Sequence, residues 1–188
     1  LDAKVVLYLG RLHKSKGLDL LVEAFADLAP RMEDAQLVLV GPDGGIQRDL
    51  QRRIADRGIE ERALFTGLVP EREKYAAFID SDVFVTPKFY GFPITFVESC
   101  ACGVPIVTTD AGNYLDWIDG VVGFSTGYSV TEVSDAMALI LSQDVRTSQF
   151  RKNCRSLVSE KFNWKRICAD LEVIYARQIP GSRCMLDS

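Results

Sequence analysis

The chain has 188 residues, 47% of them hydrophobic and 26% charged, with a net charge of −4. That length suits one domain and that apolar share is too high for a disordered chain. The negative balance offers no field for a polyanionic backbone, which argues against nucleic acid as a partner; no apolar run approaches the ~20 residues of a bilayer span, and the first residues lack a signal-peptide layout.

Lys4-Val5-Val6-Leu7-Tyr8-Leu9 is a short β-branched run stopped by Gly10, and Leu18, Leu21, Phe25 and Leu28 then recur at helical spacing. Gln36 to Val40 repeats the strand pattern and breaks at Gly41-Pro42-Asp43-Gly44-Gly45, before a polar helix from about Ile46 to Arg57. Ala63 to Thr66 is the next strand, followed by Gly67 and a helix opened by Pro70 and running to about Ile79. Val83 to Thr86 and Pro105 to Thr109 are further strands, separated by a helix from Ile94 to Cys102, and the run Val121 to Phe124 closes the series. Three helices follow, near Val130 to Ser142, Arg146 to Lys161 and Trp164 to Arg177, with Pro180-Gly181 ending the last and an unstructured tail beyond. Apolar strands alternating with helices predict an α/β fold built on a doubly wound parallel sheet.

In such a sheet, ligands bind outside the carboxyl ends of the strands, where amides and helix N-termini converge. The first such loop, Gly10-Arg11-Leu12-His13-Lys14-Ser15-Lys16-Gly17, holds fixed cations between two glycines. Arg11 offers a planar fork of donors and Lys16 a point charge, together matched to a diphosphate. Taken alone, the loop also reads as a solvated basic turn. The stretch Tyr90 to Pro105 places one acid, Glu98, about a turn inside a helix of apolar and small residues. A carboxylate there needs a partner, and ribose hydroxyls would serve.

Other polar groups read as structural. Asp80-Ser81-Asp82 has the form of a metal-binding triplet but falls before a strand, at the opposite edge of the sheet from the ligand loops, so no metal site is expected. His13, the one histidine, reads as a solvent-facing loop residue. Asp110-Ala111-Gly112-Asn113 follows a strand and could approach a ligand, although a strand-to-helix turn capped by Asn113 explains it too. Five cysteines, an odd number without zinc-like spacing, together with the absence of an N-x-Ser/Thr sequon, predict buried free thiols and a cytoplasmic protein.

The segments VLYLGRLHKSKGLDLLVEAF, LVLVGPDGG, ALFTGLV, DVFVTPKFYGFPITFVESCACGVPIVTTDAG and FNWKRI, in that order, resemble the C-terminal domains of the large GT-B family of retaining glycosyltransferases with an E-x7-E motif. The resemblance runs from about Lys4 to Arg177. It implies a Rossmann-like domain over 1–179 that binds a nucleoside-diphosphate sugar, a disordered tail over 180–188, and an acceptor domain lying outside this sequence. It further implies that Arg11 and Lys16, matching the family's catalytic pair, bind the donor diphosphate and stabilise the departing charge, and that Glu98, matching the second acid of the motif, holds the ribose. Gly10, Gly41, Phe65, Thr66, Gly67 and Leu68 correspond to segments lining the donor, those near the base largely through backbone. The loop Tyr90-Gly91-Phe92 and the amides of Ile94, Thr95 and Phe96 correspond to the part that meets its sugar and phosphates.

One departure stands at the sugar end: Tyr90 occupies the position of the family's first acid, and Pro93 replaces a glycine. The resemblance thus implies retaining, metal-independent transfer from a nucleoside-diphosphate sugar to a glycan or lipid-linked glycan. No cofactor is implied beyond that substrate, and the full-length protein could sit at a membrane surface. Tyr90 keeps open a degenerate, non-catalytic nucleotide-binding or interaction module; a sugar-nucleotide epimerase of the same fold has no added support.

Overall fold

Apolar β-branched segments become neighbouring strands because each central one buries both faces and shares its backbone hydrogen bonds with strands on either side. The computed structural model describes residues 3–113, 115–142 and 145–178. Its strands are β1 (Lys4–Leu9), β2 (Ala35–Val40), β3 (Ala63–Gly67), β4 (Val83–Thr86), β5 (Ile106–Thr109) and β6 (Gly123–Thr126). They form one parallel sheet in the order β3-β2-β1-β4-β5-β6. The helices are α1 (Leu18–Leu28), α2 (Gln47–Asp56), α3 (Glu71–Ile79), α4 (Ile94–Ala101), α5 (Val130–Leu141), α6 (Val145–Lys161) and α7 (Trp164–Gln178). The expected doubly wound α/β architecture is the one observed.

Strand pleating sends alternate side chains to two cores. Val6 and Tyr8 of β1 join Leu37 and Leu39 of β2 against Leu21 and Phe25 of α1 and Met137 and Ile140 of α5. Leu7 points to the other face, with Phe84 and Ile106, Phe78 of α3, Phe96 and Cys100 of α4, and Cys154 of α6. On that face, edge-to-face rings connect Phe84 to Phe78 at 5.3 Å and to Phe96 at 5.8 Å, so α3, β4 and α4 share one aromatic seam.

The order of strands turns back between β1 and β4. The chain first winds outward through β2 and β3, then returns to β4 on the other side of β1. That switch opens a crevice at the carboxyl ends of β1 and β4, because the loops leaving these strands diverge to opposite faces.

Several expectations change. The last strand begins at Gly123 rather than Val121, because the Val121 and Val122 amides both donate to Ile118 in a turn. Gly123 is required there: a Cβ would lie 1.8 Å from the Ile106 carbonyl oxygen of the adjacent strand. The Asn113 amide donates to the Phe89 carbonyl at 3.2 Å, tying the β5 loop to the β4 loop, and no helix starts at residues 115–118 among the described residues. Cys100 and Cys154 are buried as expected, whereas Cys102 is half-buried and Cys168 is exposed. The predicted tail 180–188, with Cys184 and Pro180-Gly181, lies outside the described residues.

Asp82 serves the sheet itself. Its Oδ2 accepts the Val5 amide at 2.9 Å at the start of β1, and Oδ1 lies 3.5 Å from Arg151 of α6. Ser81 Oγ donates to the Phe78 carbonyl. Among the described residues no group of three or more His, Cys, Asp or Glu side chains is placed to hold a metal, and no helix is long and apolar enough to cross a membrane.

Candidate functional site

The crevice begins with the way β1 and β2 end. After Leu9 and Val40 the two loops zip together: the Leu12 amide donates to Pro42 at 2.9 Å and the Gly44 amide to Leu12 at 2.8 Å. This approach demands glycine at position 41, whose φ is +136° and whose Cβ would meet the Gly10 carbonyl oxygen at 2.1 Å. Tyr8, buried in the core, donates its phenol to the Arg11 carbonyl at 2.9 Å, and burial holds that phenol protonated far above its usual range. Arg11 is thus an exposed cation on a pinned backbone.

Lys16 closes a single 3₁₀ turn, Lys14–Lys16. His13 caps that turn, its Nδ1 accepting the Ser15 amide at 3.3 Å, so the ring is half-buried and structural rather than solvent-facing. The Lys16 carbonyl then accepts the Lys88 amide at 3.2 Å, which brings the loops after β1 and β4 side by side.

From β4 the chain runs through Tyr90 and Phe92, both more than half exposed, into α4. The helix starts behind Pro93 with no side-chain cap. A hollow of about 370 Å³ results, lined by Gly10, Arg11, Lys16, Tyr90, Phe92 and the first turn of α4 through Phe96. Of the three amides expected to meet phosphate, that of Phe96 is committed to the Pro93 carbonyl at 3.0 Å. Those of Ile94 and Thr95 precede it at the positive end of the helix. Thr86 also lines this hollow, and its buried hydroxyl has no hydrogen-bond partner among the described residues.

A smaller hollow of about 170 Å³ adjoins the first, sharing Leu9, Gly10 and Arg11 and adding Val40, Gly41, Pro42, Leu68, Val69 and Lys74. Leu68 is exposed at its rim. The Gly67 carbonyl holds the Gly41 amide at 2.9 Å, while the Phe65 side chain packs against the core. Gly91 sits at a positive-φ bend beside the first hollow. A further hollow of about 360 Å³ near Trp117 and Asn153 contains none of the sequence-predicted residues.

Glu98 has a partner the sequence did not announce. Lys74 Nζ of α3 lies 2.7 Å from Glu98 Oε1, with the two side chains 23% and 19% exposed. This hydrogen bond holds the Lys74 ammonium above its ordinary pKa. The one hint in the sequence is helical spacing, since Lys74 stands four residues before the buried Phe78 and so shares its face. Tyr90 also faces a cation: the Lys88 ammonium lies 6.0 Å from its ring centroid and 5.7 Å from that of Tyr128.

This geometry can be set beside known proteins. The statistical description of the family Glycosyl transferases group 1 matches residues 1–157. The chain belongs to that family. It is 30% identical over 174 residues to the GDP-mannose-dependent alpha-(1-6)-phosphatidylinositol monomannoside mannosyltransferase of Mycolicibacterium smegmatis, covering 87% of this chain and 45% of that one. Among solved structures, the sucrose-phosphate synthase of Thermosynechococcus elongatus superimposes with a TM-score of 0.80 at 26% identity, over 96% of this chain and 47% of the other. The Anabaena protein HepE, solved with UDP, has the same fold, with a TM-score of 0.80 at 23% identity over 94% and 49%. The chain spans about half the length of the relatives it matches, and the fold they share is GT-B. Within this chain, Arg11, Lys16, Tyr90, Phe92 and the α4 terminus meet around one hollow, and Gly41, Leu68 and Lys74 meet around the next.

Proposed function

We propose that this chain binds the nucleoside-diphosphate sugar for a retaining, metal-independent glycosyl transfer. The observation that carries the reading is the pair of adjoining hollows at the β1/β4 switch, cationic in the larger and walled by Leu9, Val40 and Val69 in the smaller. The diphosphate sits between Arg11, Lys16 and the α4 terminus, the base in the smaller hollow, and the ribose at Glu98. Arg11 and Lys16 hold their charge before the bond breaks, so they stabilise the leaving diphosphate with little reorganisation. The relatives' names, a GDP-mannose-dependent mannosyltransferase and a protein solved with UDP, agree with such a donor; the donor is the substrate, and the reading invokes no cofactor. In a longer protein of the relatives' size, the remaining length supplies the site for a glycan or lipid-linked acceptor.

Calorimetric titration of this chain with UDP, GDP, ADP and their sugars tests the reading. Arg11→Ala and Lys16→Ala each weaken binding of the tightest nucleotide about ten- to a hundredfold, as loss of a charge-assisted contact to phosphate requires. Unchanged affinity in both variants would sink the assignment. Tyr90 favours a second reading, a nucleotide-binding module without transfer, because an exposed phenol stands where the family motif carries an acid. Activity of the full-length protein with Tyr90, Tyr90→Phe and Tyr90→Glu decides between them, since a module transfers sugar in none of the three forms.

A further inference from the structure

Glu98 is asked to accept hydroxyl protons close to where an anionic diphosphate binds, and a bare carboxylate is poorly suited to that place. Its charge would repel the ligand, and its side chain would have to be fixed on binding at a cost in rotamer freedom. Lys74 removes both difficulties. Its ammonium reaches across from α3, 24 residues earlier in sequence, and meets Oε1 at 2.7 Å. It also lines the smaller hollow, against Val40, Gly41, Leu68 and Val69.

If the contact only tied α3 to α4, an apolar pair would serve at least as well, since desolvating two charges costs about as much as their attraction returns. The shared aromatic seam of Phe78, Phe84 and Phe96 already makes that tie. We infer that Lys74 is a positioning residue for ribose recognition: it clamps Glu98 through Oε1, neutralises its charge beside the diphosphate, and leaves Oε2 free to accept a ribose hydroxyl. A carboxylate offers about four lone-pair sites, so the clamp and the ribose do not compete. The inference rests on the donor reading above and deepens it, because it makes discrimination between ribo- and deoxyribonucleotides depend on a residue of α3.

The test compares this chain with its Lys74→Met and Lys74→Arg variants by titration. The probes are the tightest of UDP, GDP and ADP, the 2′-deoxy and 3′-deoxy forms of that nucleotide, and pyrophosphate. The unsubstituted chain prefers the ribonucleotide over at least one deoxy form by about tenfold, the scale of one charge-assisted hydrogen bond. Lys74→Met, which keeps length and loses charge, weakens the ribonucleotide about tenfold more than the deoxy form, so the preference collapses; Lys74→Arg retains most of it. Pyrophosphate in Lys74→Met loses only what the unscreened Glu98 charge takes from the deoxy form too, and in Lys74→Arg its affinity is unchanged. A preference that survives Lys74→Met overturns the inference while leaving the donor reading intact. Equal loss for ribo- and deoxynucleotide does likewise, assigning Lys74 to the base or to folding. A chain that binds none of the nucleotides overturns both.

Discussion

Thr86 and Thr108 face each other across β4 and β5, yet their hydroxyls have opposite circumstances. Thr108 Oγ1 donates to the Thr86 carbonyl at 2.8 Å, whereas Thr86 Oγ1 is buried with no partner among the described residues. Replacing Thr108 by Val leaves that carbonyl short of a donor and costs about 1–2 kcal/mol, while Thr86→Val is neutral or stabilising because no bond is lost. Urea denaturation of the two variants separates these outcomes. Lys74 gives a pH signature at the same scale. Its pKa is raised in the folded chain, chiefly by the hydrogen bond to Glu98, so the pair's stabilisation is complete below the ordinary lysine value of about 10.4 and fades as pH rises through the folded value. Unfolding curves followed from neutral to alkaline pH should show this extra loss in the unsubstituted chain and not in Lys74→Met.

The loops that build the site are held by backbone, and their sensitivity follows from that. Gly41→Ala forces a Cβ to within 2.1 Å of the Gly10 carbonyl at a φ of +136°. It is expected to destabilise the chain by about 2 kcal/mol or more and to weaken nucleotide binding, because the β1 loop carrying Arg11 is displaced. The start of α2 depends on Asp43, whose Oδ1 accepts the amides of Gly45 at 2.7 Å, Ile46 at 3.0 Å and Gln47 at 3.1 Å. Those bonds, the one from Gln47 foremost, hold its carboxyl below the usual range. The cap is therefore intact above the ordinary aspartate pKa and is lost as pH falls through the lowered folded value. Hydrogen exchange at these three amides, fast in Asp43→Ala and slow in the parent at mildly acidic pH, checks it. In the aromatic seam, Phe84→Ala removes the ring that joins α3 to α4 and should cost about 3–5 kcal/mol in chemical denaturation.

For the molecule as a whole, a ligand seated at the β1/β4 switch bridges loops from both windings of the sheet, so binding and stability are linked. Saturating nucleotide at a hundredfold excess over its Kd raises the unfolding free energy by about 2.7 kcal/mol and the Tm by roughly 5–10 °C. Arg11→Ala should remove about half of that shift or more at the same ligand concentration, without lowering the Tm of the unliganded chain, since Arg11 is exposed. The reverse pattern would make Arg11 a structural residue.

How far the sequence reached follows the range of the forces involved. Strand and helix positions were legible because burial imposes a local pattern, so Lys4–Leu9 and Val83–Thr86 could be read from short apolar runs and α1 from helical spacing. The site loops were legible for a related reason: glycines and cations between a strand and a helix, as at Gly10 to Gly17, have a chemistry that does not depend on distant residues. The start of β6 was misjudged because Val121 and Val122 are apolar yet satisfy their amides at Ile118, a turn that composition does not reveal. Asn113 was read either as approaching a ligand or as a helix cap, and its amide bonds Phe89, a contact between two loops. Lys74 escaped notice for the same reason. Nothing near it in sequence specifies Glu98, and only the packing of α3 and α4 on one face of the sheet brings ammonium and carboxylate within 2.7 Å. The sequence by itself determined the elements, their order and the charged loops, since these follow from short-range patterning. Only the tertiary structure decided which cation pairs with the half-buried acid Glu98, because that partnership is made by sheet order and not by spacing along the chain.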